Sequence, residues 1–166
     1  SQITKADLTK TYLLGTIDNR NLGFTFRMDL ALTPELTLQY YGSPFVSIGR
    51  FLDFKKVTNP GNENYSERFA SLTPVKVSNR FDFDENKDSK TDFSISNPDF
   101  NFHQFRSNLV LRWEYKAGSA FYLVWAQDRT GYEQAGPFAF NDGFSRMFDI
   151  FPRNIFMFKF NYWFSL

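Results

Sequence analysis

The chain lacks cysteine altogether and carries a single histidine among its 166 residues. Disulfide frameworks, thiolate metal sites, cysteine nucleophiles and multi-histidine metal sites are therefore excluded. Charge of one sign is also lacking. Nineteen Lys and Arg face 18 Asp and Glu, a formal net charge of +1, which gives no electrostatic reason to expect nucleic acid as a partner. Long apolar runs are missing as well. The longest, Ala120 to Ala126, has seven residues, whereas a spanning helix needs about 20. Ser1 opens the chain without Met or a signal-peptide pattern, so it reads as a processed chain or an excised fragment. What is abundant is phenylalanine: 22 Phe in a chain that is 20% aromatic and 22% charged, with a mean hydropathy of −0.41. That is too much Phe for an ordinary soluble domain and too much polarity for a helical membrane protein.

The dominant period is two. Leu22, Phe24, Phe26, Met28, Leu30 and Leu32 alternate with Gly23, Thr25, Arg27, Asp29 and Ala31. A turn at Thr33-Pro34-Glu35 follows, with Pro setting φ. Leu36, Leu38 and Tyr40 then alternate with Thr37, Gln39 and Tyr41. Phe105, Ser107, Leu109, Leu111, Trp113 and Tyr115 alternate with Gln104 to Glu114. The chain turns at 116–119 and returns through Phe121, Leu123 and Trp125. Phe156, Phe158, Phe160, Tyr162, Phe164 and Leu166 form the last alternating set, up to the final residue. Of these 24 positions, 23 are apolar and none is charged. The opposite faces hold six charges: Arg27, Asp29, Arg106, Arg112, Glu114 and Lys159.

Loop asymmetry and a last strand that alternates up to the final residue favour a membrane barrel over a soluble sandwich, and strand length also fits. The connections at one end are tiny, and those at the other are long, about 44–101 and 129–153, as in barrels with short periplasmic turns and long external loops. A tilted strand crosses a bilayer in about 9–11 residues, which matches these segments. The expectation is one all-β domain over 1–166. It would be an antiparallel meander of transmembrane strands forming the C-terminal part of an outer-membrane β-barrel. Five firm strands and a weaker sixth within Ile3–Leu14 are too few to close, since such barrels start at about eight. Either the long loops hide two more strands, or further strands of the same barrel lie upstream, and the latter are the expected partners. The competing class is a soluble β-sandwich or a lipocalin-like small-ligand-binding module.

The segments Tyr12-Leu13-Leu14-Gly15-Thr16-Ile17-Asp18, Leu32 to Ser47, Asn97-Pro98-Asp99-Phe100-Asn101-Phe102, Phe105 to Tyr115 and Val124-Trp125 carry a resemblance. The chain resembles the C-terminal region of a Bacteroidota outer-membrane family in which a carbohydrate-binding-like β-sandwich of family-9 type precedes a large barrel. The resemblance implies an outer-membrane location in a Gram-negative bacterium. Implied partners are membrane lipid and other outer-membrane proteins. It also implies that the insertion machinery reads the last strand, with Phe160, Tyr162, Phe164 and Leu166 as the assembly signal. Its motifs are strand and turn motifs that carry no chemistry.

Candidate sites are few. Asp84, Asn86, Asp88 and Asp92 have the spacing of a short calcium loop, because alternating oxygens on a tight turn suit that ion. Ser89 stands where such loops favour Gly, and a solvated charged tip is the plainer reading. His103 and Ser107 share a strand face but lie about 13 Å apart at 3.3 Å per residue, too far for a nucleophile and its base. His103 is expected to be a polar residue near the external rim, and no catalysis is expected. The six charges are expected to face a lumen and to pair with one another. Phe51, Phe54, Tyr65, Phe69, Phe81, Phe83, Phe93 and Phe100 in the first long loop argue against disorder and for a packed cap.

Overall fold

The computed structural model describes residues 2–4, 10–134 and 140–164. The fold is all-β and antiparallel. In chain order the strands are β1 (Gln2–Thr4), β2 (Lys10–Gly23), β3 (Phe26–Ala31) and β4 (Leu36–Val57). A 3-10 turn (Tyr65–Arg68) precedes β5 (Phe69–Ser71), β6 (Val75–Val77), β7 (Arg80–Phe83) and β8 (Phe93–Ser96). Then come β9 (Phe100–Lys116), β10 (Ser119–Gln134), the helix α1 (Phe140–Asp149) and β11 (Arg153–Asn161). The main sheet has the order β1-β2-β4-β9-β10-β11, with β3 and β5 also paired to β4. The order has two ends, and no closed barrel is present among the described residues. The chain divides into two compact units.

One unit holds residues 21–47, 101–132 and 137–166. Its two short turns lie where the alternation breaks. At the first, the Thr33 hydroxyl accepts from the backbone N–H of Glu35 and of Leu36 at 3.3 and 3.0 Å, closing the β3–β4 hairpin. At the second, Gly118 sits at φ 76°, where a side chain would be strained. Its N–H donates to Glu114 Oε1 at 3.2 Å. The register pairs Phe26 with Gly42, Met28 with Tyr40 and Leu30 with Leu38. It likewise pairs Phe121 with Phe160, Leu123 with Phe158 and Trp125 with Phe156. Within each of these two strand pairs the alternating apolar residues therefore lie opposite one another, on one face.

The other unit holds residues 1–20, 48–100 and 133–136. Its three-stranded sheet, β6-β7-β8, closes over a core of Leu13, Phe54, Phe81, Phe83 and Phe93. Phe83 stacks on Phe93 at 4.8 Å between centroids and meets Phe54 edge-on at 5.4 Å, both favoured ring geometries. Polar groups at its margin are paired. Asp99 accepts from Phe51 N–H at 2.8 Å and from Lys76 Nζ at 3.2 Å, and Lys56 bonds Glu85 at 2.9 Å.

Three expectations change. The connection placed at 44–101 is shorter, because β4 continues to Val57 and β9 starts at Phe100. Residues 46–49 are buried one after another, so both faces are covered and the period of two vanishes there. Asp53, at φ 49°, adds a kink within the strand. The connection placed at 129–153 is shortened in the same way by β10 and contains α1. The weak sixth strand is not separate: Lys10 onward belongs to β2, which leads into β3 after two residues, and both pair with β4.

Candidate functional site

The residues best placed to act together lie on the polar face of the strands in the 21–47, 101–132 and 137–166 unit. Each of β3, β4, β9, β10 and β11 gives that face every second residue. A hollow of about 610 Å³ is lined by Tyr41, Arg106, Asn108, Asp128 and Arg153, among others. A neighbouring one of about 280 Å³ is lined by Arg27, Asp29, Gln39, Tyr41 and Asn108. Arg106 Nε donates to Asp128 Oδ2 at 3.0 Å, and Asp128 stands opposite Arg153 in the β10–β11 register. Arg112 donates to Glu114 at 2.6 Å. Arg27 lies over the Tyr41 ring at 5.5 Å and Lys159 over Tyr122 at 5.5 Å, each a cation on an aromatic quadrupole. The arrangement is a field of alternating charges and phenols. It offers binding surface and hydration.

All six charges named from the sequence lie on or beside this polar face, but their partners were mostly unforeseen. Tyr41, Tyr122, Asp128 and Arg153 were missed. Asp128 was legible: it continues the Tyr122, Val124, Ala126 phase by one step. The opposite face carries the rings. Tyr115 stacks on Phe160 at 5.4 Å, Phe121 lies 6.3 Å from Phe158, and Trp125 stacks on Phe156 at 6.2 Å. Three of these six rings are exposed, Phe156 at 60%, Phe158 at 70% and Phe160 at 65%.

Asp84, Asn86, Asp88 and Asp92 use their side chains to close their own loop. Asp84 accepts from the N–H of Asp88 and of Ser89 at 3.2 and 2.8 Å. Asn86 accepts from Asp88 N–H at 3.0 Å and Asp92 from Glu85 N–H at 2.6 Å. Among the described residues, no group of three or more His, Asp or Glu is placed to share an ion. Lys87 and Ser89 are held at φ 61° and 68°, so the Asp84 bonds offset local strain. Asp84→Ala should therefore loosen the loop by about 1–2 kcal/mol. Trypsin cleavage after Lys87 or Lys90 should accelerate; an unchanged rate would show that the bonds contribute nothing.

His103 is 1% exposed, so it is packed inside the fold. It lies where Gly131 leaves room: a Cβ on Gly131 would come 2.3 Å from His103 Nε2 and 2.5 Å from Ile150 Cδ1. Gly131→Ala is expected to cost about 1–3 kcal/mol by overpacking, measurable as a lowered denaturation midpoint.

The expected terminal strand stops early. β11 ends at Asn161, paired with Ala120, because the partner strand begins at Ser119 and the chain before it turns at Gly118. Trp163 N–H donates to Ser119 Oγ at 2.9 Å, and Tyr162 stacks near Phe164 at 6.2 Å. Of the proposed assembly signal, Phe160 lies in the strand, Tyr162 and Phe164 lie past it, and Leu166 falls outside the described residues.

No family model, curated protein or solved structure matches the chain.

Proposed function

We propose that the chain is part of an integral outer-membrane β-barrel, with a structural, transport or surface-assembly role and no catalytic chemistry. It would be the C-terminal part of the Bacteroidota family it resembles, with strands from elsewhere in the same protein pairing with the open edges. The observation that supports this most is the aromatic face. Phe24, Phe26, Leu30, Leu32, Phe156, Phe158 and Phe160 are all exposed on one side, while the charges gather on the other. A monomeric soluble protein rarely leaves so large an apolar patch bare. A sandwich would cover it with a second sheet, and among the described residues only α1 packs there. Lipid is a solvent in which such a face is stable.

The test is gel mobility of a mild-detergent extract of the whole protein. A barrel should run faster unheated than after boiling, because closed strands resist the denaturing detergent. Identical mobility, together with release from membranes by high salt, would contradict the reading.

A further inference from the structure

α1 is laid across the sheet. Phe24 N–H donates to Pro44 O, which sets Phe24 level with Pro44. Pro44 and Phe105 line one groove. The bonds Gln104–Thr130 and Arg106–Asp128 flank Phe105 and Arg129, which sets those two level as well. From Phe144 to its end, α1 touches this one level. Phe144 stacks on Phe24 at 5.9 Å, Phe148 lies 5.7 Å from Phe105, and Arg129 Nη1 donates to Phe148 O and Ile150 O at 2.6 and 3.2 Å. The helix axis therefore runs across the strands on their aromatic side.

We propose that α1 is an interfacial helix, seated where acyl chains meet the phosphates of a membrane lipid. The inference rests on the barrel reading. Three observations point to lipid as the occupant. The groove between α1 and the sheet, about 280 Å³, is lined by Phe24, Phe26, Tyr40, Pro44, Phe105 and Phe144 among others and is almost wholly apolar. Phe148 in the last turn of the helix and Phe151 just past its end are exposed at 57% and 91%, an expensive display in water and a usual one at an acyl boundary. Arg129 supplies charge complementarity. Its guanidinium donates to Gln127 Oε1 at 3.3 Å and to the carbonyls of Phe148 and Ile150 at the end of α1, lies 5.9 Å from the Phe148 ring, and forms no ion pair with a carboxylate among the described residues. That leaves a cation at phosphate depth, beside rings at acyl depth.

The 166 residues contain no cysteine, so single labels can be placed in them once any cysteine elsewhere in the whole protein is replaced by serine. A nitroxide is attached to Phe151→Cys or to Phe158→Cys in the whole protein, reconstituted in vesicles of phosphatidylethanolamine and phosphatidylglycerol. Collision with dissolved oxygen is compared with collision with a water-soluble nickel chelate. The label at 158 should read deep, and the label at 151 should read shallow, between the phosphates and the depth of 158. A deep 158 with a 151 that collides freely with nickel overturns the interfacial helix and leaves the barrel standing. So does a 151 as deep as 158. A 158 that collides freely with nickel overturns the barrel reading, and the helix proposal with it.

Discussion

Phe158→Arg should destabilise the protein folded in lipid by about 2–4 kcal/mol. The same substitution on a water-facing strand would usually change stability by no more than about 0.5 kcal/mol. Phe158 is suited to the comparison because it is 70% exposed and its backbone pairs regularly with Leu123. The substitution breaks no bond of the sheet, and its main loss of contact is with Phe121, 6.3 Å away. The large cost therefore arises only if hydrocarbon surrounds the ring. Lys159→Arg, one residue along, keeps its charge over Tyr122 on the polar face and should change little. Urea-dependent folding into lipid vesicles measures both. Near-zero costs for Phe158→Arg would remove the aromatic face as an argument for a membrane.

Phe83→Ala should cost about 3–5 kcal/mol. Phe83 is 1% exposed at the centre of the cluster formed by Leu13, Phe54, Phe81 and Phe93. Its loss removes a stacked partner from Phe93 and an edge contact from Phe54. Proteolysis is expected to concentrate within residues 58–99, while the segments 21–47 and 101–132 remain protected. Equal protection across the chain would show that the aromatic cluster contributes little.

The contrast between these two sites explains what could be read from the residues. From 22 to 41, 105 to 115 and 121 to 125 one face is apolar at every strand position but Ser107, so strand phase and partnership were legible. In 46–49 both faces are buried, and the signal disappears although the strand continues. β6, β7 and β8 are three or four residues long and carry no measurable period. Their Phe content still indicated packing, and they do pack. α1 was overlooked inside a presumed loop, although Phe140, Phe144, Met147 and Phe148 follow a helical spacing. At the chain end the alternation ran on through Tyr162 and Phe164, but pairing did not. A strand ends where its neighbour ends, and the neighbour's start at Ser119 is not encoded in residues 156–166. The charges of the polar face were readable one by one. Their partners Tyr41 and Tyr122 were not, because a cation over a phenol leaves no mark on sequence periodicity.

The most direct measurement is a residue-by-residue scan of β11. Each position from Arg153 to Asn161 is replaced in turn by cysteine in the whole protein and labelled with a polarity-sensitive fluorophore, and emission is recorded in lipid vesicles. Facing lipid on one side and water on the other, the labels should alternate. Phe156, Phe158 and Phe160 should shift to the blue, and Ile155, Met157 and Lys159 should emit as in water. Water-like emission at all nine positions, or a shift without a period of two, would contradict the account.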